Sequence, residues 1–327
     1  MEPFVGYTTR KCLRYLISGV VIITLIFLIP RMMPGDPFLN ILGEELYYSS
    51  PDLVSQLTIE FGLDRPLPEQ YVAYILNLFQ GDWGYSYHYM QPVLDLILFR
   101  LKWTLVLLVP SLVLGVIIGV VAGAAAGWRQ GGRLDSILTP LSLFVYATPR
   151  YWLAMLSVFV FSFIFPLFPL CGICSGGMEG VDWIVDVLWH MALPVAVLTV
   201  FNASYYVILM RNSVVQVKDE DYVLTARAIG MAKRDILRYH VVKNAVLPVI
   251  TMIALDFGFL VSGALLVEII FSWGGMGTLI YDAVIARDYP LLNGSFLMIA
   301  LCVMVANFCA DLLYAVLDPR VRGGGEA

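Results

Sequence analysis

The stretch DEDYVLTARAIGMAKRDILRYHVVKNAVLP, residues 219–248, is a charged segment set between two long apolar runs. Three acidic residues open it at 219–221, where negative charge favours a helix N-terminus because of the helix dipole. Gly230 follows several small residues and suits a helix end, since glycine readily adopts the left-handed backbone conformation. A second helical stretch is predicted from Lys233 toward Pro248. The segment therefore predicts two short helices that meet at a glycine.

The rest of the chain is apolar. Of its 327 residues, 60% are hydrophobic and 14% are charged, whereas a soluble domain carries about 25% charged residues. Mean hydropathy is +0.81. These values predict an all-α integral membrane protein with six transmembrane helices, because long continuous apolar runs are unlike the short alternating segments of a membrane β-barrel. The six runs cover about 12–33, 103–127, 136–166, 189–211, 247–271 and 291–316. The net charge of −5 offers no basic footprint for nucleic acid.

The first apolar run follows Arg10, Lys11 and Arg14, as the apolar part of a signal peptide would. It continues to Met33 without a small-residue cleavage site, so we expect it to be retained as a span.

Lysines and arginines are distributed unevenly around the predicted spans. With the N-terminus in the cytoplasm, six crossings place the C-terminus there too, together with the loops 128–135 and 212–246. Fourteen Lys and Arg residues then lie inside and five outside, with Arg150 inside a span. This asymmetry obeys the positive-inside rule, so we expect a multi-pass protein of the cell (inner) membrane with both termini cytoplasmic.

Three regions follow from this topology. Residues 1–33 form the cytoplasmic N-terminus and first span, 34–102 form an acidic external cap, and 103–327 form a transmembrane core with a cytoplasmic loop at 212–246. The cap is too long for a simple turn. Helical spacing of its apolar residues predicts two short amphipathic helices there, one through Leu53, Leu57 and Phe61 and one through Tyr71, Tyr74, Ile75 and Leu78.

Several enzyme classes lack their signatures. The dipeptide Gly-Lys of a phosphate-binding loop occurs nowhere, and the three histidines have no metal-ligand spacing. We expect no catalytic site and no bound cofactor or metal. Cys171 and Cys174 lie in a predicted outer loop as two incidental cysteines or a local disulfide, with a redox or metal role as the other interpretation.

Gly115, Gly119, Gly123 and Gly127 recur every four residues along one face of the second span. Such a ladder lets helix backbones approach closely. The sequence leaves open whether the partner helix belongs to this chain or to another subunit.

The bend in residues 219–248 carries small residues at Thr225, Ala226 and Ala228. Two helices meeting at such a bend form a projection that can dock into a groove on a cytoplasmic partner. Composition alone is also compatible with a solvated basic loop that only holds the topology.

The order of local motifs resembles one family, the permeases of bacterial and archaeal ABC importers for dipeptides, oligopeptides and nickel, in their first (B-type) subunit. The run 221–230 (DYVLTARAIG) with 238–248 (RYHVVKNAVLP) resembles the cytoplasmic signature of that family. Further matches occur in order along nearly the whole chain: MPGDP at 33–37, FGLDRPLPEQY at 61–71, GDWGYS at 81–86, VEIIF at 267–271, GMG at 275–277, RDYP at 287–290, DLLY at 311–314 and LDPR at 317–320.

This resemblance implies a type I importer permease fold with the cap between helices 1 and 2. It implies a second permease subunit, two ATP-binding cassette ATPase subunits that hold ATP and Mg²⁺, and an extracytoplasmic substrate-binding protein. Residues 219–230 would form the helix that couples to the ATPase. The implied coupling residues are Asp221, Tyr222, Thr225, Ala226, Arg227, Ala228, Gly230 and Lys233.

The chain departs from the family pattern at Leu224 and Ile229, where relatives usually carry basic residues. We therefore expect docking by shape and apolar contact, with Asp221, Arg227 and Lys233 as polar contacts.

Ionisable residues within spans cost about 2.5–3.5 kcal/mol on insertion scales and need a partner or water. Arg150 follows Pro149, which predicts a kink in the third span, and it either meets a substrate carboxylate or pairs with Asp256. Glu268 and Asp311 either hold helices together or line the pathway. Asn202, Tyr205 and Tyr206 are weaker candidates on the fourth span.

A secondary transporter or channel driven by an ion gradient is the alternative function. It would require inverted repeats and carboxylates near the membrane midplane. No clear repeat is present, and Asp256 alone favours this alternative. The sequence does not specify the substrate.

Overall fold

A computed structural model describes residues 2–32, 37–259 and 265–317, and this part of the chain is predominantly helical. The helices are α1 Glu2–Arg31, α2 Pro37–Ser49, α3 Pro51–Glu60, α4 Leu67–Phe79, α5 Val93–Trp128, α6 Arg133–Ala147, α7 Arg150–Ser157, α8 Gly180–Val217, α9 Asp221–Ala228, α10 Lys233–Asp235, α11 Val242–Ala245, α12 Leu247–Phe259, α13 Leu265–Ile270, α14 Met276–Ala286 and α15 Tyr289–Leu317. Two π-helical segments, Val158–Ile164 and Ile236–Val241, continue α7 and α10.

Among the described residues, four helices are long and apolar enough to cross a membrane, namely α1, α5, α8 and α15. Two bent pairs, α6 with α7 and its π-helical extension, and α10–α11 with α12, bring the number to six if each pair is one span. Each of the six predicted apolar runs overlaps one of these elements, and the run 247–271 also includes α13. Several helices extend beyond the predicted apolar runs. Helix α5 begins at Val93 and α8 at Gly180, in each case before the first residue of the run.

The predicted third span is not one straight helix. Its halves meet at an angle of 99° at the break between Ala147 and Arg150. Thr148 and Pro149 both have extended backbone angles there, with ψ of 134°. Proline disfavours a helical conformation in the residue before it and lacks the N–H of the helical ladder. The kink predicted at Pro149 is confirmed, and it is large enough to break the span.

Two compact units can be described separately. The first comprises Met1–Trp103, Gly275–Val305 and Ala315–Ala327, and the second comprises Thr104–Gly274 and Ala306–Tyr314.

In the first unit, the two helices predicted for the cap are present as α3 and α4, and α2 adds a helix that the sequence did not predict. Aromatic side chains form much of its core. Phe27 of α1 lies against Tyr71 and Tyr74 of α4, with ring centroids 5.2 and 5.6 Å apart. Phe61 and Tyr87 pack at 4.4 Å. The C-terminal end of α1 is thereby attached to α4.

Two motifs distant in the sequence meet at Asp288, which is fully buried in the first unit. Its carboxylate accepts hydrogen bonds from the Ser86 hydroxyl at 2.6 Å, the His88 N–H at 3.0 Å and the Leu291 N–H at 3.1 Å. The motifs 81–86 and 287–290 therefore form one structural joint. The motif at 33–37 lies almost entirely outside the described residues.

In the second unit, the glycine ladder of α5 packs against α8 of the same chain. A Cβ added at Gly119 would lie 2.4 Å from Tyr206 Cβ, and one at Gly123 would lie 2.6 Å from the Val207 carbonyl oxygen. A Cβ added at Gly127 would lie 2.6 Å from the Arg211 carbonyl oxygen. The ladder is therefore an intrachain packing surface, which settles the alternative that the sequence left open.

Candidate coupling site

The predicted bend at residues 219–230 has a defined helix end. Helix α9 begins after Glu220, and Gly230 follows it with φ of +84°. The Gly230 N–H bonds to the Arg227 carbonyl at 3.1 Å, and the Met231 N–H bonds to the Ala226 carbonyl at 3.2 Å. These two bonds form a Schellman motif, which requires a left-handed residue at the position of Gly230. The helix end predicted at Gly230 is confirmed, as is the second helical start at Lys233.

One face of α9 is buried within this chain. Val223 is fully buried and Ala226 is 4% exposed. Both belong to an apolar cluster with Met210 and Val214 of α8 and with Ile236 of the following segment. The sequence assigned Ala226 to the docking surface, but the structure places its methyl group inside. Ala226 therefore fixes α9 against α8 instead of facing a partner.

The opposite face of α9 is exposed and partly apolar. Leu224 is 47% exposed, and Ile229, which directly follows the last residue of α9, is 72% exposed. Tyr222, 41% exposed, accepts a hydrogen bond on its hydroxyl oxygen from Asn244 Nδ2 at 2.7 Å. The remaining predicted coupling residues are also exposed: Asp221, Thr225, Arg227, Ala228, Gly230 and Lys233. The two residues that depart from the family pattern thus supply the large exposed aliphatic side chains at this surface.

A basic cavity of about 870 Å³ lies beside α9. The Arg227 guanidinium stands 5.7 Å from the centroid of the Trp128 ring and donates to the Lys218 carbonyl at 3.3 Å. The cavity is lined by Trp128, Arg129, Arg227, Met231, Lys233, Arg234, Ile236 and Leu237. With four cations and no carboxylate in its lining, the cavity favours an acidic surface on a partner.

The buried cluster under α9 continues along α8 toward predicted intramembrane charges. Tyr206 belongs to this cluster, and its hydroxyl donates to Asp256 Oδ2 at 2.5 Å. The Arg150 guanidinium lies over the Phe201 ring at 4.3 Å. Arg150 and Asp256 therefore each contact α8, Arg150 through Phe201 and Asp256 through Tyr206. A direct ion pair between them stays a prediction.

Other predicted intramembrane residues have distinct surroundings. Glu268 is 1% exposed and accepts a hydrogen bond from Thr104 Oγ1 at 2.7 Å, which favours its role of holding helices together. Asn202 lies against the ladder, because a Cβ on Gly115 would be 2.6 Å from Asn202 Cβ. The side chain of Asp311, in α15, is outside the described residues.

Sequence reasoning missed the ion pair between Asp135 and Arg211. Asp135, 5% exposed, accepts from Arg211 Nε at 3.0 Å and from Arg211 Nη2 at 2.9 Å. It also accepts from the Gly131 N–H at 2.9 Å. This bidentate pair fastens the predicted cytoplasmic loop 128–135 to α8. Asp135 is the third residue of α6, where an acidic residue is ordinary because it favours a helix N-terminus, so the sequence contained no signal for its partner.

Cys171 and Cys174 are exposed and both are free thiols in the structure. Within the second unit, the backbone between them is held near the end of α13 by the Gly172 N–H, which donates to the Phe271 carbonyl at 2.9 Å.

Comparisons with known proteins cover almost the whole chain. Residues 115–323 match the family described as binding-protein-dependent transport system inner membrane component, and residues 4–108 match the N-terminal region of such membrane components. The dipeptide transport system permease protein DppB of Escherichia coli K12 is 34% identical over 323 residues, covering 93% of this chain and 94% of DppB. A protein of Brucella suis biovar 1 named for peptide permease function is 36% identical over 321 residues, 96% of this chain and 99% of that protein.

Proposed function

The chain belongs to the family of inner membrane components of binding-protein-dependent transport systems, and from this premise we propose that it is a permease subunit of an ATP-driven peptide importer. In this proposal it forms half of the translocation pathway, with the type I importer fold and six spans. A second permease forms the other half, two ATPase subunits bind below, and an extracytoplasmic binding protein delivers the substrate. The names of its relatives support peptides as the substrate class.

The observation that carries the proposal is the two-sided character of α9. Its inner face is packed into α8 through Val223 and Ala226, while its outer face exposes Leu224 and Ile229 beside a basic cavity. A buried inner face gives the helix a fixed attachment to the spans. An exposed apolar face on a short helix favours a protein partner that covers it.

We assign the energy input to that partner. Closure of the ATPase subunits around ATP would push on the outer face of α9 and Arg227. The push would pass to α8 through Met210 and Val214, which are buried in one apolar cluster with Val223 and Ala226 of α9. In this scheme the spans have two alternative arrangements. ATP binding and hydrolysis would shift the population of molecules from one arrangement to the other. ATP and Mg²⁺ are held by the partner chains in this scheme.

The substitution Ile229→Asp tests the docking surface. Ile229 is 72% exposed, so the change leaves the buried cluster intact while placing a charge in the proposed interface. We expect the purified permease to fold and insert normally but to lose its ATPase subunits on co-purification. Phe79→Asp is the matched control, because Phe79 is 86% exposed at the end of α4 on the predicted external side.

Normal retention of ATPase subunits by Ile229→Asp would contradict the docking assignment. Peptide uptake by the purified chain in proteoliposomes with a proton gradient and no ATPase would instead support the alternative, an ion-coupled transporter. Ala226→Glu is a poor test of docking, because it buries a charge within the chain and disrupts packing directly.

A further inference from the structure

The basic cavity beside α9 is amphipathic, because half of the residues in its lining are apolar. Trp128, Met231 and Leu237 are partly buried against the apolar cluster under α9, and Ile236 is 1% exposed. An acidic protein surface would account for the four cations of this lining but not for its apolar side chains. A ligand that carries an anionic group next to an apolar body can contact both parts of the cavity wall.

The position of the cavity along the candidate spans gives its depth in the membrane. Trp128 is the last residue of α5, which is one candidate span. Lys233 is the first residue of the bent pair α10–α11 with α12, which forms another. The cavity therefore lies where one span ends and another begins, on the predicted cytoplasmic side. Spans end at the level of the lipid headgroups, where tryptophan is enriched.

The cations of the cavity are poorly neutralised within the chain. Arg129, Lys233 and Arg234 are exposed, and their side chains make no hydrogen bond or ion pair with any residue that the structure describes. The Arg227 guanidinium donates to a backbone carbonyl, that of Lys218. Four positive charges around one cavity repel one another, so a bound anion lowers their electrostatic energy. Basic pockets between spans on the cytoplasmic side are sites at which anionic lipid headgroups bind.

The charge of the lining restricts the kind of headgroup. A zwitterionic headgroup such as phosphatidylethanolamine brings an ammonium group, which the four cations would repel. An anionic headgroup such as phosphatidylglycerol brings a phosphate and hydroxyl groups but no cation. Arginine N–H groups bind phosphate oxygens through short charge-assisted hydrogen bonds. The cavity volume of about 870 Å³ lies within the range of small-molecule sites, about 300–1,000 Å³.

We propose that this cavity binds an anionic phospholipid of the cytoplasmic leaflet. The phosphate would lie among Arg129, Arg227 and Arg234, and the glycerol and the first part of the acyl chains would lie against Trp128 and Leu237. Because the three arginines come from the end of α5, from α9 and from α10, the bound lipid would join these three elements. The inference goes beyond the proposed function, since it depends on neither an ATPase subunit nor a peptide.

The test uses the full-length permease in detergent, with dioleoylphosphatidylglycerol as the probe and native mass spectrometry as the measurement of bound lipid. Dioleoylphosphatidylcholine is the reference, because it has the same acyl chains and a zwitterionic headgroup. We expect phosphatidylglycerol to bind about tenfold more tightly than phosphatidylcholine. The cavity variant, Arg129→Gln with Arg234→Gln, should bind phosphatidylglycerol about 25-fold more weakly, since each Lys or Arg near an anionic lipid contributes about fivefold. Either substitution alone should weaken binding about fivefold.

The matched control variant is Arg133→Gln with Arg238→Gln. Both of these residues are exposed on the predicted cytoplasmic side and lie outside the cavity lining, and the change in charge is the same. Phosphatidylglycerol should bind the control variant as tightly as the unsubstituted protein. Without lipid, the three proteins should have equal melting temperatures, because the replaced side chains are exposed. Added phosphatidylglycerol should raise the melting temperature of the control and unsubstituted proteins more than that of the cavity variant.

Three results in this assay would overturn the proposal. Equal affinity for the two lipids would show that the cavity does not select an anionic headgroup. Equal affinity of the cavity and control variants for phosphatidylglycerol would place the bound lipid elsewhere. Displacement of phosphatidylglycerol by an equal concentration of inorganic phosphate would make the cavity a site for a small anion.

Co-purification with the ATPase subunits separates this proposal from the proposed function. If the cavity variant binds phosphatidylglycerol normally but loses its ATPase subunits, the cavity is a contact for an acidic protein surface and the lipid proposal fails. Weakened lipid binding with normal retention of the ATPase subunits supports the lipid proposal. The docking assignment is then still tested separately by Ile229→Asp, because Ile229 does not line the cavity.

Discussion

At the scale of single residues, Gly230 is constrained by its backbone and not by its surroundings. Its φ is +84°, and a Cβ built on it would meet no atom within 4 Å. A side chain would therefore fit sterically, but the left-handed conformation costs an ordinary L-residue about 1–2 kcal/mol. Asparagine tolerates this conformation better than most residues, whereas proline, fixed near a φ of about −65°, is excluded from it.

We therefore predict that Gly230→Pro keeps the permease in the membrane but abolishes stimulation of ATPase activity by peptide and binding protein. Gly230→Asn, the matched variant, should retain most of the stimulation because the Schellman motif survives. Both are measured as ATP hydrolysis by the reconstituted assembly. Full stimulation in Gly230→Pro would show that the helix end has no part in coupling.

Arg150 provides a second prediction at this scale. Its guanidinium lies over the ring of Phe201 in α8, which favours a role in holding α7 against α8. Arg150→Gln should therefore reduce uptake of acidic and neutral dipeptides by the same factor, as measured with radiolabelled peptides in proteoliposomes. A loss confined to acidic dipeptides would instead assign Arg150 to the substrate carboxylate.

At the scale of elements, α8 connects the features described in the second unit. It supplies the backbone against which the α5 glycines pack, the buried cluster beneath α9, and Tyr206 at Asp256. Arg211, on the same helix, binds Asp135 of α6. Movement of α9 would act first on this helix, since Val223 and Ala226 are packed against it.

The glycine ladder gives the prediction for this scale. Gly119→Ala would place a methyl group 2.4 Å from Tyr206 Cβ and 2.8 Å from the Ala203 carbonyl oxygen. Because backbone atoms cannot move aside, α5 and α8 must separate, and overpacking of this kind costs about 1–3 kcal/mol. Thermal unfolding of the purified protein should show a lower melting temperature. Gly176→Ala is the control, since its added methyl would meet no atom within 4 Å; equal melting temperatures for the two variants would contradict the close packing.

At the scale of the whole molecule, family membership indicates a multi-pass inner membrane protein but does not give its orientation. The orientation of the chain is a prediction of the positive-inside rule. Two exposed positions allow a direct test. Cys174 is an exposed free thiol on the predicted outer side, and Ala228 is exposed on α9 on the predicted inner side.

We predict that a variant whose sole cysteine is Cys174 reacts with a membrane-impermeant maleimide in intact cells. A variant with Ala228→Cys as its sole cysteine should react only after the membrane is permeabilised. Mass spectrometry of the purified protein measures both. The opposite pattern would invert the topology and place α9 where no cytoplasmic ATPase can reach it.

The sequence by itself determined the properties that depend on near neighbours along the chain. Apolar runs specified where the candidate spans lie, the excess of cations specified the expected inner side, and the glycine at 230 specified where α9 ends. Pro149 likewise specified a break, because its ring acts on the adjoining backbone. Each of these features depends on interactions between residues that are close in the sequence. None of them needs a contact with a distant part of the chain.

The tertiary structure decided which surfaces meet. It turned Ala226 inward, assigned the glycine ladder to α8, joined Asp135 to Arg211, and gathered Trp128 and Arg234 around one cavity. None of these contacts could be obtained from periodicity or composition. The apolar face of a helix indicates that the helix packs against a partner but does not identify that partner. The identity of the partner depends on how helices distant in sequence pack in three dimensions, where close fit over many weak contacts selects one arrangement.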